Sequence, residues 1–177
     1  MKRKNCIISV CSIILMFAIM SCHNDEDSEK GTPIEQQECD SITTAFFNLV
    51  LPHSSYDHFS DGFFLIPEQF VSDTCYIINS REELESVYCE KWRKLPELGI
   101  DFSKSTLILG QHRVSSEVVV GRKERQTLRN TGTGYILYIY YEDCGRDGMD
   151  IGDPHVLYFW GVYPKLDKKS IQVKINI

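Results

Sequence analysis

The sequence predicts an α+β fold, an antiparallel β-sheet packed against one main α-helix, preceded by a lipoprotein signal and a polar tether. Three observations carry the prediction: a capped apolar stripe beginning at Arg81, a succession of apolar and β-branched runs after Asp101, and a basic-then-apolar start ending in Ile19-Met20-Ser21-Cys22.

Lys2, Arg3 and Lys4 form a positive n-region, and Cys6 to Met20 is an apolar core of signal-peptide rather than membrane-span length. The small Ser21 before Cys22 resembles the lipobox of bacterial lipoproteins, in which the thiol of the first mature residue receives a diacylglycerol and its amine is acylated. The expected organisation is a signal peptide over 1–21, a lipidated acidic tether over 22–38 and a single domain over 39–177. Several acyl chains on Cys22 would anchor the protein firmly, where one alone would hold marginally. Asp25, Glu26, Asp27 and Glu29 then read as a solvated linker. An acidic tract so close to the lipid also resembles the surface-export signal of some Gram-negative lipoproteins, so an outer-membrane, surface-displayed protein is expected.

Charge narrows the partners. The chain carries 19 Lys and Arg against 25 Asp and Glu, a formal charge of −6, and the signal removes only basic residues. An acidic protein repels phosphates, which argues against nucleic acid and against a basic headgroup-docking patch.

Of seven cysteines, Cys6 and Cys11 leave with the signal and Cys22 carries lipid, leaving Cys39, Cys75, Cys89 and Cys144. An even set in an exported chain suggests two disulfides. A strand from Cys75 to Asn79 climbs about 13 Å and a helix from Arg81 to Cys89 descends about 12 Å. A helix that doubles back would therefore bring Cys75 level with Cys89, and elimination pairs Cys39 with Cys144. No CxxC or His-x-x-x-His spacing supports zinc.

Ala45 to Leu51 and Phe63 to Ile66 are apolar runs around a turn-rich Pro52 to Asp57, compatible with either two strands or a short helix and a strand. Ser80 with Glu83 three residues later forms a capping box that starts a helix at Arg81. Leu84, Val87, Tyr88, Trp92 and Leu95 lie on one stripe, and Pro96 ends it. After Asp101, Thr106 to Leu109, Glu117 to Gly121, Tyr135 to Tyr141 and Val156 to Tyr163 read as strands, with a turn at Asn130 to Gly134. Ile171, Val173, Ile175 and Ile177 alternate with polar residues, the period of a half-buried strand.

Two of these runs are apolar or aromatic on both sides, so one helix cannot cover them. Either Ala45 to Phe70 folds over the second face, or Tyr138, Tyr140, Tyr158 and Trp160 form an open binding face for a protein or a glycan. Arg122, Lys123, Arg125 and Arg129 form a charged arm, read as a solvated strand face or an acidic-partner site.

Candidate chemistry is thin. Asp147, Asp150 and Asp153 lack the EF-hand pattern, and His53, His58, His112 and His155 accompany no GxSxG elbow or HExxH helix. No catalytic residue, metal or cofactor is expected.

From Tyr76 onward the order of features resembles the PrcB C-terminal family of small secreted and lipid-anchored domains. The carriers are the capped helix ending in Trp92, Leu98-Gly99-Ile100-Asp101-Phe102-Ser103-Lys104 leading into Thr106-Leu107-Ile108-Leu109, and Thr133-Gly134-Tyr135-Ile136 opening a later strand. Phe159 to Lys165 stands where that family tends to have a Pro-Tyr step. The resemblance implies a non-enzymatic module supporting a secreted protease or envelope complex. A protein-binding surface lipoprotein is thus the expectation, with a glycan-binding one as the alternative.

Overall fold

The computed structural model describes residues 29–51, 73–88, 94–114, 120–143 and 155–176. In order these form β1 (Thr32–Ile34), α1 (Ser41–Val50), β2 (Thr74–Ile78), α2 (Arg81–Val87), β3 (Ser105–Val114), β4 (Val120–Asn130), β5 (Tyr135–Asp143), β6 (His155–Pro164) and β7 (Ile171–Asn176). Mostly sheet, the fold departs from one sheet under one main helix. It has a four-stranded sheet, β1-β4-β5-β7, and a three-stranded sheet, β2-β3-β6. Pairing is antiparallel except that β7 runs parallel to β5.

Side-chain alternation shows how these pieces stack. Ile108 of β3 and Leu157, Phe159 and Tyr163 of β6 meet Leu128 of β4 and Leu137, Ile139 and Tyr141 of β5 in one core between the sheets. The opposite sides of β3 and β6 present Leu107, Leu109, Val156, Tyr158 and Val162 to Phe46, Phe47 and Val50 of α1 and Leu84 of α2. β3 and β6, apolar on both sides, are thus sandwiched between a second sheet and a helical layer.

Asp40 starts α1 by accepting hydrogen bonds from the N–H groups of Ile42 and Thr43 at 2.8 and 2.9 Å. This resolves the alternatives for the first apolar run in favour of a helix. Ser80 caps α2 as expected, accepting from Glu83 N–H at 3.2 Å, but Glu83 reaches back to the N–H of Asn79 rather than Ser80. The helix is shorter than the stripe predicts, because Tyr88 turns extended at φ −84°, ψ 120°. Leu95 and Leu98, outside any described helix or strand, nonetheless bury into the same cluster. Trp92 lies outside the described residues.

The expected turn closes β4 onto β5, with Thr131 N–H donating to Gly134 O at 3.0 Å and Gly132 at φ +87°.

Residues 29–38, expected as free tether, instead belong to the fold. β1 pairs with the edge of β4, and Gln37 crosses to the other sheet, where its N–H donates to Val162 O at 2.7 Å and its side chain accepts from Ser105 Oγ at 2.8 Å. The segment is a strap joining the β4 and β6 sides of the sandwich. Its polar composition concealed this, since backbone pairing needs no apolar side chains.

Candidate functional site

The four aromatic residues expected as one binding face occupy two. Tyr158 and Trp160 point from β6 toward α1. Tyr158 is 7 % exposed, and Trp160 stacks on Phe47 at 4.9 Å while its indole N–H donates to Asn48 Oδ1 at 3.2 Å. Tyr138 and Tyr140 point outward from β5, on the far side of the other sheet, and Tyr138 is 2 % exposed. A single aromatic face is therefore corrected: strand parity pairs the residues within each strand, but the strands lie in different sheets. Of the segment offered as a cover, α1 does cover Tyr158 and Trp160, whereas residues 52–72 lie outside the described residues.

The charged arm has an internal partner. Arg125 and Arg129 lie on the outer side of β4, and Glu29 sits between them with its side chain 12 % exposed. Arg129 Nε donates to Oε2 at 2.7 Å, Arg125 lies 3.1 Å from Oε1, and the Tyr140 hydroxyl donates to Oε1 at 2.8 Å. Arg125 is itself held against the Tyr140 ring, 3.6 Å from its centroid. Arg129 also donates to Gly31 O at 2.8 Å, and Lys30 N–H to the Tyr138 hydroxyl at 2.9 Å. Lys123 is partly buried, and loss of water pushes its ammonium pKa down. The side chain of Arg122 lies outside the described residues.

Burial raises the carboxyl pKa of Glu29, but the Tyr140 hydroxyl and the Arg129 and Arg125 guanidiniums outweigh it, and the net shift is downward. A carboxylate depressed on folding stabilises the fold fully above its ordinary pKa, 4.5, and this is lost as pH falls through the lower folded value. Acidification from pH 7 to about pH 3 is therefore expected to lower the melting temperature more in the unaltered protein than in Glu29→Gln. Equal losses in the two would show that Glu29 contributes no such linkage.

On the opposite side, where β2 and β3 approach β7, the sandwich opens into a cleft of about 210 Å³ lined by Asp73, Thr74, Cys75, Gln111, His112 and β7. His112 Nδ1 lies 3.0 Å from Asp73 Oδ2, and Asp73 Oδ1 accepts from Arg113 N–H at 2.9 Å. Cys75 beside them suggests a nucleophile and base, yet burial pushes its thiol pKa up to about 12, so it is protonated at neutral pH. Among the described residues no group of three His, Cys, Asp or Glu is placed to hold a metal.

Cys39 and Cys75 are free thiols. Cys75 packs toward the core between the sheets, whereas α2 lies on the other side of β2 and β3. Cys89 and Cys144, the expected partners, lie outside the described residues, as do Cys22, the Asp147 to Asp153 cluster, His53 and His58. Under native conditions iodoacetamide is expected to modify Cys39 at least tenfold faster than Cys75. Comparable rates by peptide mass mapping would show that the Cys75 thiol is not protected.

Among the described residues no helix is long and apolar enough to cross a membrane. No family model, no curated protein and no solved structure matches the chain.

Proposed function

We propose that the protein is an outer-membrane lipoprotein, anchored through Cys22 and displayed at the cell surface, whose domain acts as a non-enzymatic protein-binding module supporting a secreted protease or envelope complex. The observation that carries this reading is the distance between the expected anchor and the fold. Glu29 is already ion-paired to the domain, and only residues 23–28 separate it from Cys22. Seven residue steps span at most about 25 Å. An anchor at Cys22 would therefore hold the domain close against the bilayer, suited to gathering other envelope or secreted proteins there.

The order of features after Tyr76 that resembles the PrcB C-terminal family supports a module of this kind. Burial of Tyr158 and partial cover of Trp160 by α1 weaken the stacking platform on which a glycan-binding reading depended.

Metabolic labelling with a palmitate analogue in the native envelope, with and without Cys22→Ala, tests the anchor. Label is expected on the unaltered chain and lost in the variant; equal labelling would overturn lipidation at Cys22. Protease shaving of intact cells is expected to remove the domain, and protection would place it on the inner leaflet. Crosslinking followed by affinity purification is expected to return a reproducible protein partner, and its repeated absence would overturn the binding role.

A further inference from the structure

We infer that Arg125, Arg129 and Tyr140 form a carboxylate receptor, occupied in cis by Glu29, that takes an acidic extended segment of a partner protein when Glu29–Ile34 leaves it. The inference rests on the protein-binding reading and specifies the chemistry of the partner.

Every host group belongs to the body of the domain. Arg125 and Arg129 come from β4, and Tyr140 stands opposite Arg125 on the neighbouring β5. Together they engage both oxygens of one carboxylate, and the Tyr140 ring positions the Arg125 guanidinium before any guest arrives. Charge-assisted contacts of this geometry are among the stronger polar contacts a protein makes.

The guest, by contrast, is held by a short element. β1 pairs with β4 over only Thr32–Ile34, opposite Leu128–Asn130. The strap then leaves for the other sheet at Gln37. A competing strand therefore has few backbone contacts to displace, and strand addition at a sheet edge supplies equivalent ones.

Among the described residues two guanidiniums face one carboxylate, and the Arg125 side chain is 57 % exposed while that of Glu29 is 12 % exposed. An incoming segment with two carboxylates can give each arginine a carboxylate of its own, where Glu29 shares a single one between them. That surplus offsets the advantage of a guest already tethered nearby.

The test uses the whole mature chain, made lipid-free by Cys22→Ser. Glu29→Gln removes the guest charge. Gly31→Val undocks β1, because Gly31 lies at φ +94° and an added Cβ would come within 2.6 Å of Asn130 O. A fluorescent peptide of residues 25–36 is the probe. It is expected to bind the Glu29→Gln/Gly31→Val protein at least tenfold more tightly than the unaltered one. A peptide with Gln in place of Glu29 should lose at least tenfold of that affinity, as should a host also carrying Arg125→Gln and Arg129→Gln. Equal binding to all hosts, or binding indifferent to the arginines, overturns the receptor.

If the double variant does not fold, Glu29→Gln alone is titrated with glutarate. The receptor predicts a rise in melting temperature that Arg129→Gln abolishes, and no rise overturns it. The two readings separate in crosslinking. A partner captured equally by the protein with and without Arg125→Gln/Arg129→Gln upholds the binding module and overturns the receptor. Peptide binding that depends on the arginines, without any captured partner, leaves only a site for the chain's own Glu29 and overturns both the module and the partner proposed for it.

Discussion

Gly110→Ala is expected to destabilise the domain by about 3 kcal/mol or more, a larger cost than almost any single methyl addition at the surface. Gly110 lies in the middle of β3, paired with Cys75 on one side and Phe159 on the other. A Cβ there would stand 2.2 Å from the carbonyl oxygen of Thr74 and 2.5 Å from Cζ of Phe159. The ring can yield only by leaving the core between the sheets, where Phe159 is 1 % exposed. The carbonyl can yield only by separating β2 from β3. Thermal unfolding by circular dichroism should show a melting temperature lower by roughly 10 °C. Gly132→Ala provides the contrast. Its added Cβ meets nothing within 4 Å, and only its φ of +87° opposes the change, so a cost of about 1 kcal/mol is expected. Equal costs at the two glycines would show that the crowding at Gly110 is relieved without loss.

Phe47→Ala is the second large effect, expected at about 3–5 kcal/mol. Phe47 is fully buried, stacks on Trp160 at 4.9 Å and meets Phe46 edge-on with ring centroids 5.3 Å apart. Its removal loosens α1 from β6 and uncovers Trp160. In a chain whose only tryptophan is Trp160, made by Trp92→Phe, the emission should shift to the red and acrylamide quenching should rise at least twofold. A protein that loses stability with unchanged quenching would show that α1 is not what shields Trp160. The outcome bears directly on function, because the α1 layer is what buries Tyr158 and partly covers Trp160.

Part of this architecture was legible in the sequence and part was not, for reasons residue by residue. The Ser80 cap, the turn at Asn130 to Gly134 and the alternation of Ile171, Val173 and Ile175 are local signals, and each appears where the chain places it. The strap was missed because Thr32-Pro33-Ile34 is short and its partner, Leu128–Asn130, lies almost a hundred residues away. Strands apolar on both sides announced two coverings, yet nothing in Tyr135 to Tyr141 or Val156 to Tyr163 says that they belong to different sheets. Hence Tyr138 and Tyr140 were grouped with Tyr158 and Trp160. Asp40 was the missed start signal of α1, an N-cap ahead of Thr43, Phe46, Phe47 and Val50, all of which bury. For the charged arm, alternation could place Arg125 and Arg129 on one side of a strand. It could not reveal that their counter-ion, Glu29, comes from the acidic tract itself.

The parallel pairing of β5 with β7 bears on how the domain is built in time. β6 lies between them in the chain but in the other sheet, so the chain must leave the four-stranded sheet, lay down β6 against β3, and return. The first and last strands, β1 and β7, form the two edges of that sheet. A chain threaded through a membrane pore from its amino end therefore delivers one edge early and the other only when the final strand emerges. Until then β5 presents an unpaired flank, and the loop closures still outstanding slow consolidation. Were the chain exported as proposed, the four-stranded sheet would complete its second edge only once β7 had emerged.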